Sequence, residues 1–157
     1  MKKTTAVVAV VLLAIAALAI SAVAPAAASP EKSDAEVLGT VRIDPNDSTV
    51  AYVTARYMCQ GGMTEETHLW VSVKQTESRR PDPALKTEES SSISAAWSQS
   101  HPTSDVVCDG KWHVDTFTVN QEEQGFGELE QGQAYVQFCL FGGDGAFVFS
   151  MKFAVVQ

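Results

Sequence analysis

The sequence predicts an all-β protein, and three observations carry that prediction. Beyond residue 38, apolar residues recur at every second position through most of the chain. Clusters of Gly, Pro, Asn and Asp break these runs at short intervals, and no convincing stretch repeats apolar residues at helical spacing. Seven or eight strands separated by turns, with nothing repeated internally, fit an antiparallel β-sandwich of immunoglobulin-like type, preceded by a signal peptide.

The signal is read first. Lys2 and Lys3 form a positive n-region, Ala6 to Ala24 is a continuous apolar run, and Ala26 to Ala28 supply the small residues of a cleavage site. Pro25 breaks the apolar helix just before it. The alternative is an uncleaved anchor, since the run is long enough to cross a bilayer. The expected organisation is therefore a signal at 1–28, a flexible leader at 29–37 and one β-domain at 38–157. Lys2 and Lys3 leave with the signal, so the 11 basic residues of the chain become 9 against 19 acidic ones, and the net charge moves from −8 to −10. That acidity repels phosphate backbones and anionic surfaces, which argues against nucleic acid and, after cleavage, against a membrane. It suits solubility outside the cell.

The strands follow in order. Val41 and Ile43 share a face of the first, and the turn Pro45 to Ser48 ends it. Val50 to Cys59 is the second, broken by Gln60-Gly61-Gly62. Leu69, Val71 and Val73 line one face of the third, opposite Trp70, Ser72 and Lys74. Glu77 to Ser92 reads as an exposed loop. Ile93 to Ser98 fits a short strand or a helical turn equally well. Val106 to Cys108 and Val114 to Val119 read as strands around Asp109-Gly110. Gln121 to Gly132 is polar, anchored by Phe126 and Leu129. Ala134 to Phe141 and Ala146 to Val156 form a closing hairpin over the turn Gly142 to Gly145.

Three cysteines in a secreted chain imply one disulfide and one thiol outside it. The order Cys59, Trp70, Cys139 matches an immunoglobulin core, and Leu129 to Ala134 resembles the corner that leads into its penultimate strand. The parity does not match: the inward position four residues after Ala134 is Phe138, so Cys139 faces the other way, as does Trp70 relative to Leu69 and Val71. The pairing favoured is Cys59–Cys108, because both follow strands beside glycine turns. In the chain-entropy picture closing such a loop stabilises by about 4 kcal/mol. Cys139, between Phe138 and Leu140, is then expected to be a buried structural thiol, with a reactive or intermolecular thiol as the alternative.

Four segments carry a resemblance: Tyr57 to Gly62 with its Cys-x-Gly-Gly, His68 to Gln75, Val107 to His113 with its Cys-Asp-Gly, and Gly132 to Cys139. Over residues 38 to 157 the chain resembles small secreted actinobacterial proteins carrying a β-sandwich domain of unknown function. The resemblance implies secretion and a bond between the two motif cysteines. It implies no activity and no cofactor.

Signals for chemistry are sparse. His68, His101 and His113 all stand near strand ends, where an open metal site would be possible, but none has short ligand-like spacing. No Gly-x-Ser-x-Gly elbow is present. The carboxylate pairs Glu65–Glu66, Glu88–Glu89 and Glu122–Glu123 lie in polar stretches without the apolar surroundings that general acid–base work needs. Asp144 alone is too few ligands for calcium. Trp97, in a Ser-rich stretch, and Trp112, after a turn, have the composition of a binding patch together with His101. The leading expectation is thus a secreted, monomeric, non-enzymatic module that binds a protein or carbohydrate near Trp97, His101 and Trp112. The alternatives are an extracellular metal-dependent enzyme or metal-binding protein using His68, His101 and His113, and a structural envelope-associated protein.

Overall fold

The computed structural model describes residues 33–60, 67–87, 91–142 and 148–157. The expected signal peptide, the start of the leader, Glu65–Glu66, Glu88–Glu89 and most of the last hairpin's turn, with Asp144, lie outside the described residues. Among the described residues eight strands are present: β1 (Asp34–Ile43), β2 (Val50–Met58), β3 (His68–Thr76), β4 (Ile93–His101), β5 (His113–Asn120), β6 (Gly125–Phe126), β7 (Gly132–Phe141) and β8 (Val148–Val156). One four-residue helix, α1 (Gln121–Gln124), links β5 to β6, and its first N–H groups are capped by the Asn120 side chain, which accepts from Glu122 N–H at 2.8 Å. β1 begins inside the expected leader, with Asp34 to Val37 paired to Met58 to Ala55. Ile93 to His101 is a strand, whereas Val106 to Cys108 is irregular.

The sandwich expectation is overturned by how the strands join. Around the sheet the order is β3, β7, β8, β1, β2, β5, β4, and β4 returns to pair with β3 from Leu69↔His101 to Thr76↔Ile93. Seven strands therefore close into one barrel, with β6 appended to β4 at Ala96↔Phe126 and Trp97↔Gly125. The barrel is mixed, because β1 and β8 run parallel at Val41↔Val156 while the other neighbours run antiparallel. A sandwich leaves four sheet edges, and closure removes them by pairing the end strands with each other. The disulfide fits the same picture. Cys59 and Cys108, with Cα atoms 4.6 Å apart, tie the end of β2 to the loop before its neighbour β5, at one rim, rather than bridging two facing sheets.

One face of each long strand fills the interior. Val37, Val41, Val53, Tyr57, Leu69, Val71, Val73, Trp97, Phe117, Val136, Phe138 and Leu140 are buried there. A barrel of this size has room for side chains and no lumen. The rings at the disulfide end pack on one another: Tyr57 lies 5.6 Å from Phe138 and 6.4 Å from Phe117, centroid to centroid. Trp97 is fully buried and its Nε1–H donates to Gly127 O at 2.8 Å, so its polar edge is satisfied. Gly127 holds φ +68°, and a Cβ there would come within 2.1 Å of Ser94 O, so this turn under the Trp ring requires glycine.

Two seams of the barrel are stitched by side chains where the ladder is thin. Between β4 and β5 the strand pairing is Ser98↔Asn120. Beyond it, His101 Nε2 meets Thr118 O at 2.9 Å and Thr118 Oγ1–H donates to Gln99 Oε1 at 3.0 Å. Between β1 and β8, Ser150 Oγ accepts the Val37 N–H at 3.0 Å, and Lys152 Nζ reaches Glu36 at 3.8 Å. This second seam explains why the inward row of β8 holds Ser150 and Lys152 among its apolar residues: they complete the join to β1.

Candidate functional site

β8 is inverted relative to an ordinary half-buried strand. Its inward row is Val148, Ser150, Lys152, Ala154 and Val156, set by pairing with inward β7 residues such as Phe138↔Ser150 and Val136↔Lys152. Its outward row is Phe149, Met151, Phe153 and Val155, all apolar, with Phe149 54%, Met151 46% and Val155 41% exposed. The neighbouring outward positions continue the apolar surface, because Trp70, Cys139 and Phe149 stand side by side on β3, β7 and β8. Trp70, Gln137, Cys139, Phe141, Phe149 and Met151 border an open groove of about 460 Å³ on this wall. A second groove of about 250 Å³ lies on the other side of Trp70, between Ser72, Ala96, Ser98, Gln124 and Phe126. Trp70 is the ridge between the two.

The polar groups along this wall are mostly engaged with one another. Ser72 Oγ–H donates to Gln137 Oε1 at 2.8 Å, and Ser98 Oγ–H donates to Gln124 O at 3.1 Å. Trp70 Nε1 is different: it is buried and has no hydrogen-bond partner among the described residues. Contiguous apolar surface of this kind, rimmed by polar residues, marks interaction sites more often than it occurs by chance.

The residues expected to form the binding site are not gathered on one surface. Trp97 stands inside the barrel and offers no ring to a ligand. Its Ser-rich flanks misled because Ser94, Ser98 and Ser100 occupy the outward face of the same strand. Trp112 is 44% exposed, but its ring lies under the Arg56 guanidinium, 5.0 Å from the centroid, over β2. His101 is half-buried in the β4–β5 seam, its ring edge 5.4 Å from Phe117 and its Nδ1 3.5 Å from Asp105.

The metal reading also finds no assembled site. His68 is exposed beside Phe141, His101 serves the seam, and His113 Nε2 contacts Asp109 Oδ1 at 2.8 Å while stacking on Tyr57. Among the described residues no group of three or more His, Cys, Asp or Glu side chains is placed to hold a metal ion. Glu122 and Glu123 are exposed on α1. Cys139 stands outside the disulfide and is half-buried on the outer wall rather than fully buried as expected; its outward parity is what puts it there.

The electrostatics of the disulfide rim are structural in character. The His113 hydrogen bond, helped by Lys111, holds the Asp109 carboxyl down to about 2. Burial, with the carboxylate of Asp115 beside it, pushes the Tyr57 phenol up to about 12; its hydroxyl donates to Asp115 Oδ2 at 2.8 Å and accepts the Val107 N–H at 3.2 Å. Neither group faces a groove.

The outer row of β8 was the signal that strand-by-strand reading missed. Phe149, Met151, Phe153 and Val155 form one face of a period-two strand, and the expectation for Ala146 to Val156 assigned neither face to the core. In comparisons with known proteins, no protein family matches the chain and no curated protein matches it. Among the described residues no helix is long and apolar enough to cross a membrane.

Proposed function

We propose that the chain is secreted and that its barrel is a non-enzymatic binding module working through the outer wall of β3, β7 and β8, centred on Trp70. The observation that carries this reading is the outward row of β8, which exposes apolar side chains while the same strand spends serine and lysine on its inward face. Phe149 and Met151 stand 54% and 46% exposed, and a partner that covers them recovers on the order of 25 cal/mol per Å². The signal-like N-terminus and the Cys59–Cys108 bond support an oxidising, extracellular setting. The resemblance to small secreted actinobacterial proteins points the same way.

Two measurements test this. Titration of the folded protein with the neutral apolar dye N-phenyl-1-naphthylamine should give saturable, blue-shifted fluorescence that is lost in the double variant Phe149→Ser/Met151→Ser with its circular dichroism unchanged. Non-saturable uptake, or equal binding by the variant, removes the wall as the site. N-terminal sequencing of the protein recovered from culture medium should begin at Ser29 or close to it, and recovery only inside cells with Met1 intact contradicts secretion.

A further inference from the structure

We infer that the occupant of the outer wall is a basic, amphipathic segment of a partner protein, laid across Trp70 with apolar side chains in the groove on each side. This rests on the reading of that wall as the binding surface. Two observations choose this occupant over the others. The grooves are walled mainly by carbon and sulfur, and the hydroxyl and amide groups of Ser72, Gln137 and Ser98 already bond within the chain. A carbohydrate, which needs many convergent polar partners, finds few here.

Charge is the second observation. The turn that supplies Gln124 and Phe126 to the second groove also carries Glu122 and Glu123, both exposed and neither ion-paired among the described residues. Several cations elsewhere are paired within the chain: Arg56 and Lys152 with Glu36, Arg79 with Glu130 and Lys111 with Asp109. Lys74 is the cation bordering the second groove, and it is itself buried. With a mature charge of −10 the protein's field draws in cations and repels a second copy of itself.

The test uses three synthetic peptides and the folded mature protein, with binding read by calorimetry. Two share a row of leucines at helical spacing, one with lysine and one with glutamate at the remaining positions, and the third keeps the lysines but replaces the leucines by alanine. The Lys/Leu peptide should bind on the order of tenfold tighter than each of the others at low salt, and its advantage over the Glu/Leu peptide should shrink as salt screens the charges. Glu122→Gln/Glu123→Gln should reduce that advantage about threefold and leave the dye titration untouched. Equal binding of the Glu/Leu peptide overturns the basic partner, and equal binding of the Lys/Ala peptide shows that charge alone is read. A dimer in sedimentation that Phe149→Ser/Met151→Ser dissolves assigns the wall to a second copy. Uptake onto uncharged phosphatidylcholine vesicles that this variant loses assigns it to lipid. Loss of dye binding, by contrast, defeats the wall itself and not the choice of partner.

Discussion

The two outer walls of the barrel obey opposite rules. On the side of β1, β2 and β5 the outward residues satisfy one another. Thr54 and Thr116 share a hydrogen bond at 2.9 Å across paired strands, Arg56 meets Glu36 at 2.8 Å and lies over Trp112, and the Tyr52 hydroxyl donates to Asp44 while Arg42 sits 5.9 Å above its ring. These contacts are half-exposed and individually weak, at most about 1 kcal/mol each. Their importance is that they leave little wanting a partner, Val114 being the exception at 59% exposed. On the side of β3, β7 and β8 the outward residues are mainly aromatic, thioether and thiol groups, and Phe149, Met151 and Val155 stand 54%, 46% and 41% exposed. One wall is largely complete within the chain, and the other is the one we propose a partner completes. Exposure alone does not separate them, since Trp112 and Val114 are as exposed as Met151; what separates them is whether neighbouring strands supply complementary chemistry.

The largest effect should come from the self-satisfied side. The Cys59–Cys108 bond fixes the rim where β2 meets β5, across a separation of 49 residues. Cys59→Ala/Cys108→Ala should lower stability by about 4 kcal/mol in a denaturant titration. A loss below about 1 kcal/mol would mean that the rim is held by Tyr57, His113 and Asp109 without the bond.

Tyr57→Phe should come next, at about 1–2 kcal/mol, because it strips Asp115 and the Val107 N–H of their shared partner. Its pH dependence has a definite sign. The unfolded phenol ionises at 10.0 and the folded one near 12, so the proton is held more tightly in the fold. The stability it contributes is complete below pH 10.0 and is lost as pH climbs towards 12. Denaturant midpoints across that window should fall steeply in the parent and less in Tyr57→Phe, with the remaining slope due to Tyr52, whose phenol is also raised by its bond to Asp44. Identical slopes would remove Tyr57 as the cause.

Asp109 gives a smaller effect at the opposite end of the scale. Its carboxyl titrates near 2 in the fold against 3.8 unfolded, chiefly through His113. The stability it contributes is therefore present above pH 3.8 and lost as pH falls through about 2. Asp109→Asn should flatten the acid limb of a thermal-midpoint profile, leaving the parts due to Asp44 and Asp47, whose carboxyls are also lowered by local hydrogen bonds. An unchanged limb would show that the His113 contact does not persist in solution.

What could be read from the chain follows from what period two encodes. Alternation assigns faces, and it placed Leu69, Val71 and Phe138 inward and Trp70 and Cys139 outward, as found. It carries no information on which strands are neighbours, because a strand inside a sandwich and one inside a barrel have the same apolar face. Closure is decided by β4 turning back onto β3 and by the parallel join of β1 to β8, long-range pairings with no local mark. Trp97 shows the reverse difficulty: its buried edge is satisfied by Gly127 O, a backbone group that composition does not display. The outer wall was half legible. The run from Val148 to Val156 shows an unbroken apolar row at Phe149, Met151, Phe153 and Val155, but alternation alone does not say that this row, and not the one holding Ser150 and Lys152, faces outward.

The smallest stability effect is the most telling for the two walls. Phe149→Ser and Met151→Ser each replace a side chain that is about half in water, and neither belongs to the buried core. If the wall is reserved for a partner, each should change stability by no more than about 0.5 kcal/mol, the usual range for exposed positions. Phe153→Ser on the same row is the internal contrast, since its ring packs 5.4 Å from Tyr135, which is itself buried, and it should cost more. Comparable losses at all three positions would mean that the apolar row stabilises the barrel itself. The two walls would then be built on one principle, with hydrophobic contact on one side doing what polar pairing does on the other.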